Sequence, residues 1–212
     1  MSERIVVHPA TPQMRLIDSI VERLRRGAVI LYPTDTVYAI GCDIHNKAGQ
    51  ERIRKIRRLP DDKPLTFVTS SLSDISDYAH ISDTAYHILR HLVPGPYTFL
   101  LPASKLVPKL VLNPRRKTTG IRVPANPICQ MLISELGNPF ISMSARLPDH
   151  DSAETLDDLI EQFDNFVDIV IDDEEAYHSP YSDSLSTMID LTDEQPRIVR
   201  EGLGMELATQ YV

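Results

Sequence analysis

Helical and strand-like patterns alternate along this chain from end to end, with no segregation of one kind from the other. That order predicts an α/β layer structure, because each apolar strand face needs a helix stripe laid against it. Pro12 suits a first helical position behind an N-cap at Thr11, and Leu16, Ile17, Ile20, Val21 and Leu24 recur at helical spacing until Gly27 stops the helix. The run Ala28-Val29-Ile30-Leu31-Tyr32 reads as a buried strand closed by Pro33. A strand at 36–40, a helix at 47–58, a strand at 65–69 and a helix at 84–92 follow. The second half has strands at 97–101 and 120–123, then a helix at 127–136 between Pro127 and Gly137. A strand at 140–143, a helix at 155–163 and strands at 167–171, 186–191 and 197–201 complete it. The expected architecture is one domain over residues 1–212, a twisted open mixed sheet with helices on its faces and some antiparallel strands near the end.

Composition narrows the setting. Apolar residues make up 42% of 212, enough for a packed core without disulfides. No apolar run approaches the roughly 18–20 residues of a membrane helix. The first residues lack the apolar stretch of a signal peptide. Two cysteines, Cys42 and Cys129, cannot staple a chain of this length. A cytoplasmic protein without a membrane partner is therefore expected. The net charge of -8 hides a split: residues 1–146 carry 20 basic against 12 acidic groups, and residues 147–196 carry 16 acidic and no basic ones. A chain so divided can hold a polyanion locally, or can simply present its acidic block to solvent.

Several chemistries find no support. There is no phosphate-binding glycine loop, zinc-spaced cysteine pair, His-Glu-x-x-His motif or serine nucleophile elbow. His87 and His91 stand four apart on a helix, but without a third ligand a surface or core role is favoured over a metal. Three features remain. The segment Tyr32 to Asp43 sets Thr34-Asp35-Thr36 in a proline turn between apolar strands, which suits either a small polar ligand at the sheet edge or the turn itself. The stretch Arg52 to Arg58 has five basic residues in seven, with Lys63 following, and is suited to phosphates; its nearby acids are Asp61 and Asp62. Finally, the strand edges Gly120 to Pro124, Phe140 to Arg146 and Ser186 to Leu191 carry cations or hydroxyls. There Arg122 needs an anionic partner, either a ligand or a carboxylate of the acidic block.

In order, these segments resemble the YrdC-like family, the domain of L-threonylcarbamoyladenylate synthases. The resemblance rests on Tyr32-Pro33-Thr34-Asp35-Thr36-Val37-Tyr38-Ala39-Ile40-Gly41, on Lys55-Ile56-Arg57 ahead of Pro64-Leu65, and on Pro94-Gly95-Pro96-Tyr97-Thr98. It continues through Ile121-Arg122-Val123-Pro124, Ser186 to Leu191 and Arg200-Glu201-Gly202, and covers nearly the whole chain. The runs Thr118 to Pro124 and Ile198 to Gly202 are similar to the YciO branch. The resemblance implies a basic concave cavity. It also implies condensation of L-threonine, bicarbonate and ATP into threonylcarbamoyl-AMP with release of pyrophosphate, for modification of tRNA adenosine 37, with Mg²⁺ on the ATP phosphates. Lys55, Arg57 and Ser144 would be catalytic. ATP would be held by Lys55, Arg57, Lys63, Ser142, Ser144, Arg146 and Arg200, and threonine by Thr34, Thr36, Arg122 and Ser186. No metal-ligating residue is implied. Synthases carry Asn where this chain has Arg146 and Gly where it has Ala39, and the loop from Arg57 to Pro64 is longer here. Arg146 predicts reduced turnover. The alternative is a non-catalytic module that docks double-stranded RNA or tRNA in the same cavity.

Overall fold

Pleating sends alternate side chains of the central strands into two separate cores, and that alternation builds the molecule. The computed structural model describes residues 1–60, 63–148, 153–173 and 184–212; Asp61 and Asp62 lie outside them. In chain order the elements are β1 (Glu3–Val7), α1 (Met14–Arg25), β2 (Ile30–Tyr32), β3 (Ala39–Asp43), α2 (Lys47–Ile56), β4 (Thr66–Val68), α3 (Leu72–Tyr78) and α4 (Asp83–Leu92). They continue with β5 (Tyr97–Pro102), β6 (Thr118–Arg122), α5 (Pro127–Leu136), β7 (Phe140–Ser144), α6 (Leu156–Phe163), β8 (Ile169–Asp173), β9 (Thr187–Asp190), β10 (Arg197–Arg200) and α7 (Met205–Ala208). The strands form one sheet in the order β1-β8-β2-β3-β7-β4-β6-β5-β9-β10. Pairing is mixed: β4 lies parallel to β6, for example, and antiparallel to β7.

Leu31, Ile40, Phe67, Phe99, Ile121, Ile141, Val170 and Ile189 enter one core, with the apolar stripes of α2, α3, α4 and α6 packed on them. Ile30, Tyr32, Val68, Phe140, Ile169 and Ile171 enter the other, under α1 and α5. A one-residue slip in any of these strands would exchange its two sets, so burial on both sides fixes the register.

The sequence-based elements recur with shifted ends, and the shifts have local causes. The first helix starts after Gln13 and not after Thr11, because the Thr11 amide and hydroxyl meet His8 Nδ1 at 3.1 and 3.0 Å in a preceding turn. Gly27, at φ 104°, does stop it: its amide and that of Ala28 donate to the carbonyls of Leu24 and Arg23. The strand expected at 36–40 begins at Ala39, opposite Tyr32, because Thr34 and Thr36 are still occupied in the turn. Three elements had not been expected: β1, α3 and α7. β1 buries only Ile5 and Val7, and is held parallel to β8 partly by Arg4, whose Nε lies 2.8 Å from Asp172.

Candidate functional site

The core under α1 and α5 contains no residue of β5, β6, β9 or β10. Among the described residues no helix of that core extends over this half of the sheet, and the strand positions pointing to it change from apolar to polar. Thr66, Thr98, Gly120, Arg122, Ser142 and Ser144 stand there, each one step out of phase with a buried neighbour such as Phe67, Phe99, Ile121 or Ile141. The register sets Gly120 between Thr66 and Leu100, and Thr98 opposite Met188. A side chain at Gly120 would put its β-carbon 2.7 Å from the Thr66 methyl, so glycine keeps this part of the floor clear. The result is a cleft of about 440 Å³. Its lining includes five cations, Arg57, Lys63, Arg116, Arg122 and Arg200, the hydroxyls of Thr36, Thr98, Ser142, Ser144 and Ser186, and no carboxylate among the described residues.

The turn between β2 and β3 organises one end. Thr34 Oγ1 donates to the Val37 carbonyl at 2.7 Å and accepts from the Thr36 amide at 3.0 Å, which faces the Thr36 hydroxyl toward β6. Arg122 Nη1 donates to Thr36 Oγ1 at 2.8 Å, and its Nη2 is paired with Asp35 Oδ1. Both side chains of that ion pair are nearly buried, 11% and 13% exposed. The partner of Arg122 is thus a neighbour in the turn and not a carboxylate of the acidic block. Among the described residues, Asp35 Oδ2 and Arg122 Nε find no hydrogen-bond partner, and both atoms are buried within the pair. Below it, Tyr32 donates to Ser142 Oγ at 2.6 Å, and burial raises its phenol well above the usual value, so it remains the donor.

Ser186 and Arg200 form the opposite wall. The Ser186 hydroxyl lies 2.8 Å from that of Thr98, and Arg200 Nη2 donates to the Ser186 carbonyl and hydroxyl at 2.9 and 3.0 Å. Burial, then the positive charge of Arg122, lowers the Arg200 pKa. Two like charges are held close enough to sense each other, an arrangement that an anion between them would relieve. Arg116 closes the rim, 2.9 Å from Asp190.

Of the residues proposed from sequence, Thr36, Arg57, Lys63, Arg122, Ser142, Ser144, Ser186 and Arg200 line this one cleft. Three do not. Thr34 acts inside the turn. Arg146 accepts the Arg57 guanidinium on its main-chain carbonyl, and its side chain is not part of the lining. Lys55 is exposed and lines a separate cavity of about 310 Å³ with Arg52, Ile56, Arg58, Leu147, Pro148, Asn165 and Phe166. The physical reason is helical: Lys55 and Arg57 are two positions apart, roughly 200° around the axis, so they leave α2 on opposite sides. Sequence reasoning missed Asn113, Arg116, Thr118 and Thr119 as lining residues and Asp35 as the partner of Arg122. Polar positions recurring every second residue in otherwise apolar strands were the available signal.

Comparison with known proteins follows the same outline. A family model described as Sua5_yciO_yrdC, telomere recombination, matches residues 22–202. The uncharacterized protein YciO of Escherichia coli K12 is 42% identical over 206 residues, covering 96% of this chain and 97% of its own. A threonylcarbamoyl-AMP synthase of Vibrio vulnificus YJ016 is 30% identical over 158 residues, covering 73% of this chain and 84% of its own. The crystal structure of E. coli YciO superposes with a TM-score of 0.86 at 41% identity, covering 96% of this chain and 97% of that one. P. abyssi Sua5 complexed with L-threonine superposes at 0.87 and 26% identity, over all of this chain and 61% of that one.

Proposed function

The chain belongs to the Sua5/YciO/YrdC family, and from that premise we propose that its cleft binds L-threonine beside ATP and joins them, with bicarbonate, into threonylcarbamoyl-AMP. The observation that carries this reading is the lining: five cations and a set of hydroxyls gathered with no carboxylate among the described residues, in a protein of net charge -8. Such a lining suits one small carboxylate and one polyphosphate. A relative solved with L-threonine and relatives that are threonylcarbamoyl-AMP synthases support the choice of ligands.

In this reading the threonine carboxylate meets Arg122, already oriented by Asp35 and Thr36, with the hydroxyls of Thr36 and Ser186 on the rest of the amino acid. Arg57, Lys63, Ser142, Ser144 and Arg200 would hold the phosphates, and Mg²⁺ brought with ATP would add positive charge to theirs. The threonine amine attacks the carbon of carbon dioxide derived from bicarbonate and loses a proton, giving a carbamate. A carbamate oxygen then attacks the α-phosphorus as the bond to the bridging oxygen breaks, and pyrophosphate leaves. The cations stabilise charge on the equatorial oxygens, and no side chain needs to act as a strong base. The test is calorimetric titration of ATP with and without threonine, together with threonine-dependent pyrophosphate release. Cooperative binding lost in Arg200→Ala is expected. ATP binding that is indifferent to Arg200→Ala would exclude the cleft as its site.

A further inference from the structure

The basic end of α2 does not all serve the cleft. The C-terminal end of α2 is a partition: its cap residue Arg57 lines the cleft, while Lys55, and Arg58 just past the cap, line the 310 Å³ cavity, and the two spaces share no lining residue. We propose that this second cavity is a binding site for a nucleoside monophosphate, separate from the cleft. Its volume lies at the lower end of the roughly 300–1,000 Å³ range of small-ligand pockets, a size for a mononucleotide and not for a longer one.

Each part of such a ligand finds its chemistry here. Arg52, Lys55 and Arg58 supply positive charge for the phosphate. Arg52 is already paired with Asp168 at 2.7 Å, but Lys55 is exposed and meets no carboxylate among the described residues. Phe166, from the turn after α6, stands edge-on to Phe163 and is 39% exposed, with Leu147 adding apolar wall. An exposed ring beside cations suits a flat base, which can stack on it. Asn165 offers donors and an acceptor to a base edge. Inorganic phosphate would make no use of the ring, and an apolar ligand none of the lysine.

The experiment is titration of AMP into the full chain carrying Arg200→Glu, which disables the cleft, with thermal unfolding as a check of fold. Saturable one-to-one binding is expected, weakened about 10-fold by Lys55→Glu as for a charge-assisted contact. A further weakening of about 5-fold is expected from Phe166→Ala, or from Phe166→Leu should the alanine variant unfold. Ribose 5-phosphate, which has no base, should respond to Lys55→Glu and ignore the Phe166 variants. Absence of AMP binding, or binding unaffected by Lys55→Glu, overturns the site. A response to Lys55→Glu without one to Phe166 overturns the nucleoside assignment. The role of the cleft is read independently, by comparing ATP binding of Arg200→Glu with the unsubstituted chain.

Discussion

Arg122 is useful to an amino-acid carboxylate only if its guanidinium is held still beforehand, and Asp35 and Thr36 hold it. Asp35 therefore acts through Arg122 as a positioning residue. Asp35→Asn keeps the shape of the side chain and removes its charge. Threonine affinity should fall about 10-fold, the scale of one charge-assisted hydrogen bond worth roughly 1.5–3 kcal/mol, while ATP affinity changes little. Separate calorimetric titrations of the two ligands check this, and equal losses for both would count against a positioning role. Asp35→Ala should do more, because it leaves a nearly buried guanidinium short of its counter-charge, and a cost of about 3 kcal/mol in unfolding free energy is expected. Cys129 sits beside this turn, its Sγ 3.1 Å from the Pro33 carbonyl, while Cys42 is buried in the other core. Burial raises the Cys42 thiol to about 12 and also raises that of Cys129, so both remain protonated at neutral pH.

Two helix ends show what kind of element boundary a sequence reveals. α1 and α2 both close with the same pair of backbone bonds, but α1 has Gly27 in the left-handed position and α2 has Arg58, at φ 46°. Glycine announces such a turn and arginine does not, which is why the reading of the second helix ran on to 58. A side chain in this region costs roughly 1–2 kcal/mol, and glycine gives back part of that in unfolded-chain entropy. Arg58→Gly should accordingly stabilise the chain by about 0.5–1 kcal/mol, measured by urea unfolding. β1 was illegible for a related reason: a strand at the sheet edge with two buried residues gives too little alternation to count, and Arg4 contributes to its attachment. Burial pushes the pKa of its partner Asp172 up from the ordinary value, with Arg4 pulling the other way. A raised folded-state pKa means that the native chain binds this proton more readily than the unfolded one. The stabilisation from Asp172 is therefore full below the unfolded value and is lost as pH rises through the folded one. Asp172→Asn should gain on the parent chain as pH rises from about 3 to about 7, and a constant difference would reject the assignment.

At the scale of the molecule, the sheet and its layers were legible because apolar periodicity is written into every central strand; the cleft was legible only through motifs. What periodicity could not supply was which half of one face the helices leave bare, since that depends on α1 and α5 packing together over the other half. Charge follows the same logic. The acidic block gives Asp168, Asp172 and Asp190 to Arg52, Arg4 and Arg116, and none of its described carboxylates lines the cleft. Net charge and local charge thus make opposite predictions for an anionic ligand. A chain of -8 acting as a whole would repel ATP, and added salt would screen the repulsion and tighten binding. A cleft lined by Arg57, Lys63, Arg116, Arg122 and Arg200 attracts it, and salt would weaken binding. The second outcome is expected, because at about 0.1 M salt the screening length is only ~10 Å and the ligand inside the cleft senses its walls before it senses the distant acids. ATP affinity should fall roughly 3–10-fold between about 50 and about 500 mM NaCl, and Arg200→Glu should flatten that dependence. An affinity that rises with salt would mean that the nucleotide answers to the whole anionic surface, and the cleft would then have to be given up as its site.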